Sequence, residues 1–216
     1  MRLIAAKALA HGQPEDSDEV KKWTAIENQK MGSARQILGK HAKFNNKMAY
    51  QLVYNAFQSY LAALIKQIYN RQKNMLNLKD KVSFKEIIQF SRMNDLTSYL
   101  IDKRINDLTF QSIQDLNLDF YEKYGFKFFE TQLRTQTISR IAQRRNLLVH
   151  NNGIVNHGFI ERTGDRRSKV GQHVKLCLAT TLIEYLQEVA VDIDRRARTK
   201  FGLAAVSLKG KKNQDD

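Results

Sequence analysis

A chain of 216 residues with a single proline contains almost nothing that would break a helix. Proline removes a backbone donor and clashes with the preceding turn, at about 3 kcal/mol in a helix interior. Pro14 is the only one, and glycines are sparse over most of the chain, so the sequence predicts long uninterrupted helices. No run alternates apolar and polar residues for long enough to demand a sheet, and no internal repeat is visible. The predicted class is all-α: a helical bundle built on three long helices with short helices inserted. Apolar residues make up 42% of the chain, enough for a real core.

Periodicity places the elements. Between Asn45 and Tyr69, residues Met48, Leu52, Val53, Ala56, Phe57, Tyr60, Leu64, Ile65 and Ile68 recur at spacings of three and four, which predicts a long amphipathic helix. "LNLKDKVSF" ends it, and Ser83 with Glu86 forms a capping box for a short helix. Asn94 or Asp95 caps a further helix, and one or two pieces follow, ending near Gly125. A second long helix is expected over 127–151, with Gly153 placed for a left-handed cap. After a polar connection with four glycines, the last helix is expected from Gln172 to Lys200. Its buried stripe would hold Val174, Cys177, Leu178, Thr181, Leu182, Tyr185, Leu186, Val189 and Ile193. Three regions result: residues 1–40, an N-terminal extension, partly helical; 41–203, the helical domain; and 204–216, a disordered tail.

The formal net charge is +14, and a surplus this large opposes compaction through self-repulsion. Nucleic acid is the commonest partner of such a chain; an acidic membrane surface or an acidic protein are the alternatives. Cys177 is the only cysteine, so no internal disulfide forms, which fits a reducing cytoplasm. The start does not read as a signal peptide, because Lys7 breaks its short apolar run. No segment reaches the roughly 18 apolar residues of a membrane span.

The densest chemistry lies in "RRNLLVHNNGIVN", Arg144 to Asn156. On a helix, Ile138, Ile141, Arg145 and Leu148 share one seam, with Arg145 where an aliphatic residue is expected. A guanidinium there either pairs with a carboxylate or lines a cleft that receives an anion. Asn146 and His150, four apart, lie on one face; Arg145 and His150, five apart, lie about 140° around the axis unless the helix end unwinds. These residue types suit RNA cleavage by a ribose 2′-OH. An imidazole can move the proton near neutrality. A guanidinium can hold the charge growing on phosphate. An amide can donate to a phosphate oxygen or orient the imidazole. No metal or other cofactor is required, and a symmetric pair of chains would supply both acid and base. The competing reading is a capped, ion-paired helix end.

"RNLLVH" resembles the Arg-x4–6-His signature of HEPN domains, with Asn146 at the position after the Arg where that family often has Asn. The longer string with "FIERTGD" beyond it, and "SFKEIIQFSRMNDLTSYLIDKRINDLTFQSIQDLNLDFYEKYGF" before it, resembles the prokaryotic RiboL-PSP-HEPN branch over roughly residues 45–200. The resemblance implies a helical homodimer with facing motifs that acts as a metal-independent endoribonuclease leaving 2′,3′-cyclic phosphate ends. Toxin–antitoxin, abortive-infection and antiviral settings are typical of the family, which implies a regulatory or antitoxin protein partner. It would make Arg145 and His150 catalytic and Asn146 supporting. Some HEPN domains are inactive and only bind RNA or nucleotides, so an RNA-binding module or a scaffold is the rival reading. Family toxins silenced by a nucleotidyltransferase carry Tyr two residues after the His; here Asn152 stands there.

Basic residues bracket the motif. Arg144, Arg162, Arg166, Arg167 and Lys169 are candidate RNA contacts, with Asn151 and Asn152 divided between RNA contact and helix capping. For Arg195, Arg196, Arg198 and Lys200, favourable charge at a helix C-terminus is the better account. His157 reads as a surface histidine, and the four-residue spacing of His173 and Cys177 as core rather than metal. No phosphate-binding glycine loop, dinucleotide fingerprint or acidic metal cluster is present in the sequence.

Overall fold

The computed structural model describes residues 18–73 and 83–204. The expectations for the chain start, the break at 74–82 and the tail from 205 lie outside these residues. The described elements are helices: α1 (Asp18–Arg71), α2 (Phe84–Ile87), α3 (Met93–Phe110), α4 (Ile113–Tyr124), α5 (Gln132–His150), α6 (His157–Thr163) and α7 (Ala179–Phe201). Among them the one extended pairing is an antiparallel bridge between Ile154 and His173. The protein is all-α, and none of these helices is long and apolar enough to cross a membrane.

The chain divides into two compact units, Met1–Met48 and Ala49–Asp216. In the first, α1 is already helical from Asp18, well before the expected start at Asn45, and residues 28–45 are exposed. The core lies in the second unit. There α1 buries Tyr50, Tyr54, Phe57, Leu61, Leu64, Ile65, Ile68 and Tyr69, repeating at i, i+3, i+4 and i+7. The buried line begins on tyrosines rather than on Leu52, which is 63% exposed. Rings of Tyr50 and Tyr54 bury as much surface as aliphatic side chains, and their hydroxyls carry polarity inward.

The Ser83–Glu86 box forms: the Ser83 amide donates to Glu86 Oε2 (2.9 Å) and the Glu86 amide to Ser83 Oγ (3.2 Å). The cap of α3 is Arg92, two residues before Asn94, the first of its expected caps, and it makes no side-chain cap bond. α4 ends at Gly125 in the left-handed region, as its position suggested.

Two side chains hold the irregular segment ahead of α5. Buried Asn117 donates to the Phe129 carbonyl (3.0 Å) and accepts from its amide (2.9 Å). Arg196 donates to the carbonyls of Lys127 and Phe128 (both 2.7 Å) and to Asp192 (3.0 Å). These bonds satisfy backbone groups that the loop leaves unpaired and fix where α5 starts, at Gln132 after the Thr131 cap instead of at residue 127.

α7 corrects a further expectation. It begins at Ala179, because 172–178 run extended: Val155 donates to the Gln172 carbonyl and Val174 to that of Gly153 (both 2.8 Å). His173 and Cys177 therefore share no helix face, and Cys177 is exposed rather than buried in the core. Leu182, Leu186, Val189 and Ile193 are buried as expected, while Leu178 and Thr181 are exposed.

Candidate functional site

α5 packs Ile138, Ile141, Ala142, Leu147 and Leu148 into the core and brings the polar motif to its C-terminal end. Arg145, on the seam of Ile138, Ile141 and Leu148, is half-buried. Its Nε donates to Asn55 Oδ1 of α1 (3.0 Å) and its Nη1 to Asn146 Oδ1 (3.3 Å). Among the described residues no carboxylate pairs with it. Both contacts are neutral amides, so the guanidinium is oriented while its charge is kept. Arg104, Arg134, Arg196 and Arg198, by contrast, each sit on a carboxylate.

Asn55 was not among the sequence candidates. Its signal is an Asn inside "YQLVYNAF", a polar residue breaking an apolar helix as Arg145 breaks its own. Tyr54 beside it is also buried. Burial pushes its phenol up to about 12 against the opposing pull of Arg145.

Arg144 points another way. It lies beside the buried Tyr50 phenol and near Asp165, but neither its buried Nε nor the Tyr50 hydroxyl reaches hydrogen-bond geometry. Burial raises Tyr50 beyond the ordinary tyrosine range, and Arg144 offsets only part of that. Asp165 is also pushed up by burial. Bonds from Ser168 and the amides of Arg167 and Ser168, together with Arg144, outweigh this and leave it below the usual carboxylate range. Its carboxylate organises the turn that carries Arg166 and Arg167, accepting from the Arg167 amide (3.0 Å) and Ser168 Oγ (2.9 Å).

His150 is exposed at the last helical position, and among the described residues nothing pairs with its imidazole. Helix geometry persists through His150, without the unwinding that would swing it toward Arg145. Within one chain the two side chains thus leave the helix about 140° apart. The turn beyond is tight: the amides of Asn151 and Gly153 both donate to the Leu147 carbonyl (2.9 and 2.8 Å). Asn151 Nδ2 donates to the Ile154 carbonyl (2.6 Å), and Asn152 and Gly153 take positive φ. Asn151 and Asn152 thus shape the turn, as their types favour. Asn156 caps α6, accepting from the Phe159 amide (2.9 Å), and Phe159 anchors that helix in the core.

Arg162 folds back from α6 to donate to Gln143 Oε1 of α5 (3.0 Å), again an amide, passing over Gly158 at 3.2 Å from where a Cβ would lie. Arg166, Arg167 and Lys169 are exposed on the following loop. Among the described residues no three His, Cys, Asp or Glu side chains gather at one point. The chain matches no protein-family model, no curated protein and no solved structure.

Proposed function

We propose that this chain is a HEPN-type endoribonuclease that cleaves RNA without a metal and works in prokaryotic defence or growth control. In this reading a ribose 2′-OH attacks the adjacent phosphate. His150 moves the proton, Arg145 holds the charge growing on the phosphate oxygens, and Asn146 orients. The products carry 2′,3′-cyclic phosphate and 5′-hydroxyl ends. The observation that supports it best is the pair of amides, Asn55 and Asn146, on Arg145. A guanidinium placed only to stabilise the fold does better with a carboxylate, whereas one meant to receive an anion must stay uncompensated.

The motif of one chain carries one imidazole, His150, which leaves the helix on a different side from Arg145. A second copy with facing motifs would bring another imidazole and another guanidinium to the same phosphate. Arg162, Arg166, Arg167 and Lys169 would track the flanking phosphates. The test is incubation of pure wild-type and His150→Ala protein with end-labelled RNA in excess EDTA, followed by analysis of the product ends. Cleavage by the wild type alone, leaving cyclic phosphate, is expected. Equal cleavage by folded His150→Ala protein refutes the mechanism. Salt-sensitive binding with intact RNA points instead to the RNA-binding module or to an enzyme that requires a partner or trigger.

A further inference from the structure

At the other end of α5, the C-terminal ends of α4 and α7 border an open surface pocket of about 400 Å³, within the range of small-ligand sites. Its walls include Tyr121, Gly125, Phe126, Lys127, Arg196 and Lys200. Two of its cations have no carboxylate among the described residues. Lys127 Nζ rests 4.3 Å from the centre of the Tyr121 ring. Lys200 Nζ crosses the backbone at Gly125, only 3.3 Å from where a Cβ would lie. Gly125 closes α4 at φ +59°, a conformation that favours glycine, and its missing side chain leaves the room that Lys200 uses.

Arg196 does not share this freedom. Three of its five N–H groups bond Asp192 and the Lys127 and Phe128 carbonyls, and its guanidinium lies 5.5 Å from the Phe126 ring. These bonds and the Asp192 carboxylate hold it in the wall of the pocket. Glu130 on the rim is exposed, 3.7 Å from Arg196 Nε. Two ammonium groups therefore remain to meet an anion. Tyr121 is half-exposed and offers a ring face beside them. An ammonium on a tyrosine ring is held more weakly than one on a phosphate, so an incoming phosphate would draw Lys127 away and bare the ring.

We propose that this pocket binds a nucleotide, with the phosphate between Lys127 and Lys200 and the base stacked on Tyr121. The ligand is either a free nucleotide or one residue of an RNA strand. α5 runs nineteen residues from its pocket end at Gln132 to His150, about 27 Å of rise, so the inference does not rest on cleavage at the motif.

The experiment is calorimetric titration of the full chain carrying His150→Ala, so that no probe is consumed by the motif. The probes are 5′-AMP, ribose 5-phosphate and a 5′-phosphorylated oligoadenylate. Binding of AMP or the oligoadenylate should weaken about tenfold in the Lys127→Gln/Lys200→Gln double variant. Tyr121→Ala should weaken AMP while leaving ribose 5-phosphate unchanged. AMP that displaces the oligoadenylate identifies free nucleotides as ligands; binding of the oligoadenylate alone identifies the strand. All three side chains lie on the surface, so circular dichroism is expected to show intact helices. No binding of any probe, or equal affinity in the double variant, overturns the proposal.

Discussion

Replacing Asn55 separates an anchored charge from a spent one. The Asn55 amide oxygen accepts from Arg145 Nε at 3.0 Å. Asn55→Ala removes that acceptor and leaves Arg145 half-buried with the Asn146 amide and solvent, a loss of about 1 kcal/mol. That corresponds to a fall of roughly 2–4 °C in Tm for a chain of this size. Asn55→Asp does the opposite to the fold. A carboxylate at the same place gains about 4 kcal/mol of Coulomb energy at an effective dielectric near 20. Desolvation and screening leave a net of about 1 kcal/mol in favour of folding. The guanidinium is then neutralised, and losing one such charge-stabilising donor costs on the order of 10²–10³ in rate. Stability and function should therefore move apart: Asn55→Asp melts at or above wild type yet cleaves and binds RNA poorly. Thermal unfolding read by circular dichroism, beside cleavage of end-labelled RNA in EDTA, measures both. Wild-type cleavage and RNA affinity in Asn55→Asp would refute the argument that Arg145 is held by amides to keep its charge.

Arg196→Ala should cost about 3 kcal/mol, since it strands two loop carbonyls and a carboxylate at a side chain only 14% exposed. A fall in Tm of less than roughly 4 °C would show that the loop ahead of α5 is held otherwise. Alkali should unfold the protein through its buried tyrosines. Burial raises Tyr54 to about 12 and lifts Tyr50, Tyr60 and Tyr124 as well. A folded pKa above the unfolded value of about 10 gives stability that is whole below pH 10 and lost as pH rises through 12. Ionisation of these four, followed by ultraviolet absorbance, should coincide with loss of helical ellipticity; ionisation near pH 10 with the helices intact would contradict their burial.

The helical class was legible because one proline and threes-and-fours spacing leave little else to build. The caps at Gly125 and Gly153 were legible for the same local reason: their φ values are +59° and +77°. The start of α7 was not. Residues 172–178 have the periodicity of a helix, but Val174 and Gln172 find partners in Gly153 and Val155, residues distant in sequence, and that pairing overrides the pattern. Likewise the spacing showed that Arg145 sits on a buried seam, yet it could not choose among partners. The partner, Asn55, lies ninety residues away. Local rules carry propensity and capping; which polar groups meet across the core is settled by packing.

Two groups of arginines stand in different chemical environments, and the contrast bears on where positive charge is left uncompensated. Along α7, Arg195 and Arg196 share Asp192 with Arg134 from α5, and Arg198 holds Asp194, so much of that helix's charge is answered nearby. At the far end of α5, Arg145 and Arg162 are fixed by Asn55 and Gln143, which orient without neutralising. An anion arriving there meets side chains already placed, so little rotamer freedom is lost on binding. The field that attracts it is not spent inside the molecule. Among the described residues, the difference between a carboxylate and an amide beside these guanidiniums leaves Arg145 and Arg162 at the motif end of α5 with their charge available, as with Lys127 and Lys200 at its other end.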